Sequence, residues 1–163
     1  MASSSSTVTS QLAAMLRGES GINAIAGALQ LDIPLPSLED GGILELQAAA
    51  DLTEKAGNVK YPVIHVYCDR IANTLKEKFR RFSGTADLNI EIRVSHDHIA
   101  ELQTQIRHYV EVVTEILENR RGAWDSNTWY AGTYEVTFGP VKRGGRNYLQ
   151  SAKVRLEVTI QAD

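Results

Sequence analysis

The stretch that decides the fold is residues 87–122, "DLNIEIRVSHDHIAELQTQIRHYVEVVTEILENRRG". In its first part Leu88, Ile90, Ile92 and Val94 alternate with polar residues. This alternation is typical of a β-strand with one buried face and one solvated face. The polar residues of the strand are Asn89, Glu91 and Arg93.

The second part of the stretch predicts a long amphipathic helix from about 98 to 120, because its apolar residues recur with the 3.6-residue helical period. Asp97 is predicted as the N-cap, with Glu101 adding negative charge near the positive end of the helix. Gly122 is predicted as the residue that stops it. The apolar stripe consists of Ile99, Leu102, Ile106, Tyr109, Val110, Val113, Ile116 and Leu117.

The flanking sequence adds a short helix at about 6–17, a strand at about 61–69 and a closing hairpin of two alternating runs, 134–138 and 152–160. Strands that surround one long helix are typical of an α+β fold. We therefore expect a largely antiparallel sheet of about four or five strands, with one long helix and a short N-terminal helix packed on it.

The chain of 163 residues has the length of one domain, which we place at 1–163. The serine-rich start, residues 1–6, is predicted to be a flexible N-terminus. Residues 30–60 contain "DIPLPSLEDGG", and prolines and glycines at this density interrupt regular structure. We interpret 30–60 as an extension or long loop that becomes ordered against a neighbour.

Composition narrows the possible partners and location. The net charge is −3, so no overall charge draws the chain to nucleic acid or to a membrane. Cys68 is the only cysteine, which excludes an intrachain disulfide and favours a reducing cytoplasm. The start lacks the features of a secretory signal, and no apolar run approaches the length of a membrane span.

A basic loop with two glycines, "PVKRGGRNYLQ" at 140–150, joins the last two alternating runs. It lacks the Gly-Lys-Ser/Thr of a phosphate-binding loop and leads into a strand instead of a helix. The glycines predict a hairpin turn that reaches positive φ. Lys142, Arg143 and Arg146 at its tip are candidates for contact with a neighbouring subunit, or with phosphate.

A second basic segment, "LKEKFRRF" at 75–82, places aromatic residues between positive charges. Single-stranded nucleic acid is bound by such mixtures, but the solvated face of a strand would have the same composition. The basic residues of the segment are Lys76, Lys78, Arg80 and Arg81.

No pattern in the sequence indicates catalysis or a cofactor. His96, His98 and His108 suggest a zinc site, but His108 lies almost three helical turns beyond His98, so we interpret the three as surface and capping residues and predict no metal. His65 alternates with apolar neighbours and is interpreted as a paired sheet residue. The aromatic group Trp124, Trp129 and Tyr130 is expected to close an edge of the core or to lie at a subunit contact.

The order of these elements resembles that of the tail terminator, or tail completion, proteins of long-tailed bacteriophages. The resemblance runs over about residues 60–161, from "YPVIHVYCDRIANTLKEKFRRFSGTADLNIEIRVSHD" through the long helix to "WYAGTYEVTFGPVKRGGRNYLQSAKVRLEVTI". It is a likeness in the pattern of elements, without a diagnostic motif.

The resemblance implies a structural virion protein and not an enzyme. Subunits of this kind form a ring, usually a hexamer, at the head-proximal end of the tail. The ring ends polymerisation of the tail tube protein and joins the tail to the head-side connector or stopper, and DNA passes through its lumen without sequence-specific binding. In such a ring we expect the basic residues of both segments, 75–82 and 140–150, to lie at assembly surfaces or to face the lumen. Such a protein is assembled in the bacterial cytoplasm and ends in the neck of the virion.

Three other functions stay open at this point. A head-tail adaptor or stopper of the neck would have similar architecture. A nucleic-acid-binding module would use the two basic segments. An enzyme would need a constellation of catalytic residues that the sequence does not display.

Overall fold

The computed structural model describes residues 2–38, 42–46, 60–75 and 77–163. These residues form a mixed unit of α-helices and one β-sheet, as the sequence predicts. The helices are α1 (Ala2–Arg17), α2 (Ile22–Ala28) and α3 (Ile99–Asn119), and the strands are β1 (Ile43–Glu45), β2 (Val63–Asn73), β3 (Phe82–His96), β4 (Gly122–Ala123), β5 (Thr128–Phe138), β6 (Lys142–Gly144) and β7 (Asn147–Ala162).

The sheet has the strand order β1-β2-β3-β7-β5-β4, and β6 pairs with β7 beside this path. Only β1 and β2 are parallel to each other; the other neighbours are antiparallel. The predicted number of four or five strands is therefore too low, because the sheet of the described residues has seven. The additional strands β1, β4 and β6 span only two or three residues, too few for alternation to be visible.

The core lies between α3 and the central pair of strands, β3 and β7. In this pair Leu88 lies opposite Leu156 and Ile90 opposite Val154, and all four side chains are buried. The apolar stripe of α3 packs on this surface as part of one continuous core. Ile99 is the exception: as the first residue of the helix it is 43 % exposed, so its predicted place in the buried stripe is wrong. The prediction of a long helix over an apolar strand face is confirmed, with bounds one residue inside the expected ones at each end.

The N-terminal helix is longer than the sequence suggests. It begins at Ala2 instead of about residue 6, so residues 2–6, predicted as a flexible end, are helical. Its residues Val8, Leu12 and Leu16 are buried in the same core as α3. A second helix, α2, follows after a short turn, so the prediction of one long and one short helix is wrong in number.

Part of the predicted extension 30–60 is packed against the domain. Leu38 is buried, and its backbone forms two hydrogen bonds with the Asn23 amide: Asn23 Nδ2 donates to the Leu38 carbonyl (2.7 Å) and Leu38 N–H donates to Asn23 Oδ1 (2.8 Å). Strand β1 then joins the edge of the sheet. The rest of the predicted extension, 39–41 and 47–59, lies outside the described residues.

Both ends of α3 differ from the predicted caps. The N-cap residue is His98, not Asp97, and no side chain caps the helix there, because the Asp97 carboxylate is hydrogen-bonded to the His98 ring. The C-cap residue is Arg120, so Gly122 lies two residues beyond it. Gly122 has φ +105° and begins β4, where the left-handed conformation favours glycine.

The expected division into one dry and one wet face fails in two places. On β3, Asn89 and Arg93 are buried although they belong to the polar face. Asn89 lies in register between Tyr67 of β2 and Arg155 of β7, and long side chains on neighbouring strands cover a short residue between them. On β5, Tyr134 and Phe138 are exposed although they belong to the apolar face, because α3 packs mainly on β3 and β7.

Replacing Leu12 with Ala should lower the free energy of unfolding by about 2–5 kcal/mol, the usual cost of truncating a fully buried leucine. Chemical denaturation followed by circular dichroism measures this change. Leu75→Ala, at an exposed position, is the control and should change the value by less than about 0.5 kcal/mol. An unaltered main transition in Leu12→Ala would show that α1 is not part of the cooperative core.

Candidate assembly surfaces

The two basic segments lie at opposite ends of the sheet. The hairpin that connects β2 and β3 lies where Phe82 pairs with Ala162, whereas the β6 hairpin lies near the pairing of His96 with Tyr148. Fifteen residues of β3 separate these ends, and a rise of about 3.3 Å per residue places them roughly 50 Å apart along the strand. The two segments therefore cannot form a single basic site on one subunit.

The hairpin between β2 and β3 carries an exposed aromatic residue among positive charges. Phe79 is 99 % exposed, and Lys78 and Arg81 beside it are exposed as well. Arg80 is held by ion pairs with Glu77 (2.8 Å) and Asp163 (3.6 Å). Residues 77–81 lie between β2 and β3 and not within a strand. The interpretation of this segment as the solvated face of a strand is therefore wrong, and the contact surface stays a prediction. Lys76 lies outside the described residues.

The hairpin at the opposite end is formed by β6 and the start of β7. Gly144 pairs with Asn147, which leaves a two-residue loop of Gly145 and Arg146. Gly145 has φ +69°, and glycine with positive φ at the first loop position is the pattern of a type II′ turn. The predicted hairpin turn is confirmed, and Lys142, Arg143 and Arg146 are all exposed on it.

The outer edge of β5 is the surface that the sequence did not reveal. Strand β4 pairs with β5 only at Trp129 and Tyr130, and no described residue pairs with the outer side of β5 beyond them. Phe138, 48 % exposed, and Tyr134 lie along this free edge. The alternation of apolar residues in β5 indicated a strand, but it could not show how far the helical layer covers it. The last turn of α3 reaches Tyr134, whose hydroxyl donates to Glu118 (3.0 Å), and Phe138 beyond it is 48 % exposed.

The aromatic group after α3 is divided between the core and the surface. Tyr130 is fully buried, and the ring of Trp124 lies 5.7 Å from it, centroid to centroid. Burial raises the pKa of Tyr130 to about 12. Trp129, on the opposite side of the strand, is 55 % exposed. Tyr130 therefore closes an edge of the core, whereas Trp129 lies on the surface, and its expected place at a subunit contact stays a prediction.

His108 lies apart from the other two histidines, as the helical spacing predicts, whereas His96 and His98 lie close to each other. His98 Nδ1 lies 2.8 Å and His96 Nδ1 3.0 Å from the same atom, Asp97 Oδ1. His108 instead faces Glu111 within α3, with Nδ1 3.3 Å from Oε2. The hydrogen bond with Asp97 raises the pKa of His98 and lowers the pKa of Asp97.

The face of the sheet opposite the helices is polar and partly buried. Asp87 receives a hydrogen bond from Arg155 (2.7 Å), and Arg93 contacts Glu91 with two nitrogens, at 3.0 and 2.8 Å. His65 pairs in register with Glu91, which confirms its interpretation as a paired sheet residue. Burial lowers the pKa of His65, and the positive charge of Arg93 adds to this effect.

A cleft of about 300 Å³ opens on this polar face beside the β6 hairpin. Tyr61, Glu91, Arg93, Lys142 and Gln150 are among the residues that line it. The charges at its floor, Glu91 and Arg93, are paired with each other. Two of the charged groups of the cleft are therefore already neutralised by each other.

Comparison with known proteins leaves the family of this chain open. No protein-family model matches it, and no curated protein matches it either. In the described part of the chain, no helix is long and apolar enough to cross a membrane.

His65 should make the folded state less stable as the pH falls below its ordinary pKa of 6.5. Because the pKa of His65 is lower in the folded chain, the unfolded chain takes up a proton that the folded chain does not, and unfolding becomes easier toward acid pH. We expect the loss of unfolding free energy between pH 7.5 and 5.5 to be smaller in His65→Gln than in the wild type. Urea denaturation at each pH measures the difference.

His98→Gln is the matched control for this experiment. Because the pKa of His98 is raised in the folded chain, its contribution to stability is present at acid pH and is lost as the pH rises. The acid loss should therefore be slightly larger in His98→Gln than in the wild type. Identical pH profiles for His65→Gln and the wild type would contradict the role of His65.

Proposed function

We propose that this chain is a structural virion protein that assembles into a ring, a hexamer, at the head-proximal end of a long-tailed phage tail. In this function it ends polymerisation of the tail tube, joins the tail to the head-side connector and catalyses no reaction. It needs no cofactor, and it is assembled in the bacterial cytoplasm before it becomes part of the virion neck.

The observation that carries this proposal is the free edge of β5 with its exposed apolar residues. Strand edges with unpaired backbone groups and apolar side chains tend to pair with another chain. Association of identical subunits through two different surfaces closes into a ring when the rotation between them allows it. The free edge, with Tyr134 and Phe138, supplies one of these two surfaces.

The charge distribution supplies a complementary argument. Residues 1–60 carry seven acidic and three basic residues, and residues 61–163 carry thirteen acidic and fourteen basic residues. The N-terminal part is thus net negative while the remainder is close to neutral with exposed basic hairpins. Where the acidic part of one chain meets the basic hairpins of its neighbour, the attraction favours head-to-tail contact and guides the encounter.

The position of the two basic hairpins supports a joining function. A subunit that connects a tail tube to a head-side connector needs two contact regions that face in opposite directions. The hairpin tip with Lys78 and Arg81 and the tip with Arg143 and Arg146 lie at opposite ends of the longest strands. If one of the tips faces the lumen of the ring, its positive charges would contact the phosphates of the passing DNA. Contacts with phosphates do not distinguish between DNA sequences.

A nucleic-acid-binding module is a second candidate, and the exposed Phe79 favours it. Aromatic rings beside basic residues stack with the bases of single strands. In that case the isolated protein would bind DNA with an affinity that falls steeply with salt. A head-tail adaptor or stopper of the neck is a third candidate with the same architecture.

Size-exclusion chromatography with light scattering should show the wild type at a mass close to six times 18.0 kDa. Phe138→Glu should shift the protein toward the monomer, because the substitution places a charge on the apolar part of the free edge. Thr137→Glu adds the same charge to the neighbouring exposed position on the opposite face of the strand, and should keep the assembled mass. A wild type that stays monomeric at high concentration would contradict the ring.

The double substitution Arg143→Glu and Arg146→Glu should reduce joining of heads and tails while the thermal transition of the subunit stays unchanged. Both side chains are exposed at a hairpin tip, so their replacement leaves the core intact. Electron microscopy of particles assembled with the variant measures the fraction of joined particles. Loss of the folded subunit's thermal transition would show that the hairpin has a structural role instead.

Particles that lack the protein distinguish the terminator from an adaptor. A terminator stops the growing tube, so its absence should give tails of abnormal length. An adaptor or stopper acts on the head side, so its absence should leave tail length normal. Steeply salt-dependent DNA binding by a monomer, with normal tails, would favour the nucleic-acid module.

A further inference from the structure

The corner between β3 and α3 brings two histidines and an aspartate together at one point. His96 is the last residue of β3, and α3 begins at Ile99, so the turn between them consists of Asp97 and His98 alone. Because the chain reverses from strand to helix over two residues, consecutive side chains converge. One ligand atom from each of His96, Asp97 and His98 lies within 4.8 Å of the other two.

We propose that this corner binds a divalent transition-metal ion of the Zn²⁺ class through His96 Nδ1, Asp97 Oδ1 and His98 Nδ1. Two imidazole nitrogens and one carboxylate oxygen are ligands that zinc and its neighbours accept. In a tetrahedral site with bonds of about 2.0–2.1 Å, ligand atoms lie about 3.3 Å apart. The two nitrogen–oxygen separations in the structure, 3.0 and 2.8 Å, are shorter than this by about 0.3 and 0.5 Å.

The hydrogen bonds of His96 supply an independent argument. Its Nε2 lies 2.8 Å from Glu101 Oε2, and its Nδ1 accepts a hydrogen bond from the His98 backbone N–H (3.0 Å). With the ring proton on Nε2, Nδ1 carries no proton, and its lone pair accepts the His98 N–H. An unprotonated imidazole nitrogen is the form that binds a metal ion, so the hydrogen bond to Glu101 leaves Nδ1 in the state that the proposed site needs.

Glu101 completes the arrangement as the partner behind the ligand. Metal-binding histidines usually donate their second ring N–H to a carboxylate, which fixes the ring and increases its basicity. Glu101, one turn into α3 from the corner, occupies this position for His96. His108, on the same helix, faces Glu111 instead and contributes no atom to the cluster.

The charge of the site also fits a divalent cation. Asp97 and Glu101 together contribute two negative charges when both imidazoles are neutral. Among the described residues neither carboxylate forms an ion pair with a lysine or arginine; their partners are His96 and His98. A divalent ion would neutralise this pair of charges. The start of α3 carries a partial positive charge that repels a cation, but the two full negative charges are larger than this partial charge.

The ligands are accessible and need little rearrangement. His98 is 69 % exposed and Asp97 63 % exposed, while His96 is 23 % exposed and therefore fixed by its surroundings. Binding exchanges two hydrogen bonds for metal bonds: the one from the His98 N–H to His96 Nδ1 and the one between His98 Nδ1 and Asp97 Oδ1. The bound ion would join the end of the central strand to the start of the long helix, and water or a group from a neighbouring subunit would complete its coordination.

Isothermal titration of tag-free, EDTA-treated protein with ZnCl₂ tests the proposal. We expect saturation at one ion per chain. His98→Ala and Asp97→Asn should each remove saturable binding, and since both positions are exposed, circular dichroism should show an unchanged fold. Glu101→Gln should weaken binding by about tenfold or more, the usual effect of removing such a partner.

His108→Gln is the matched control, because it removes a histidine from the same helix outside the cluster, and it should bind zinc like the wild type. Visible absorption of the Co²⁺-loaded protein gives a second readout that depends on the ligands and not on stability. Weak, unsaturable binding of zinc to the wild type, or equal binding by the wild type and His98→Ala, would overturn the proposal. Neither result bears on ring assembly, so this test is independent of the proposed function.

Discussion

The packing of the apolar stripe of α3 against β3 and β7 is the contact on which the rest of the fold depends. The helix buries nine of its residues, and the opposing strand positions Ile90 and Val154 are completely buried. Burial of apolar surface is the main favourable term in folding, and this contact lies within the one continuous core to which α1 also belongs. The contact also fixes the direction of the helix, and with it the corner at which β3 turns into α3.

The parts of the fold that the sequence predicts are those in which one periodic pattern runs over many residues. The stripe of α3 runs from Ile99 to Leu117 and the alternation in β7 from Ala152 to Ile160, so a local irregularity cannot hide the period. The short strands β1 and β6 form because a longer neighbour offers its edge, as β2 does for Ile43 and β7 does for Arg143. Such pairing depends on tertiary neighbours and leaves no period in the sequence.

The candidate surfaces are predictable to a smaller degree. The basic tip with Arg143 and Arg146 was recognisable because glycines indicate a turn and a turn exposes its charges. The free edge at Tyr134 and Phe138 was not, because periodicity identifies an apolar face but not the extent of the layer that covers it. The convergence of His96 and His98 was missed because it depends on a two-residue turn, whereas spacing along a helix correctly excluded His108.

The length of β3 has a mechanical consequence. All 15 residues of this strand pair with β7 in uninterrupted register. The hydrogen bonds of an antiparallel pair lie perpendicular to the strands, so tension applied along the strands would strain many of these bonds at the same time. Separating the two strands would then require most of these hydrogen bonds to break at once. The β3–β7 pair therefore resists extension between the two ends of the sheet.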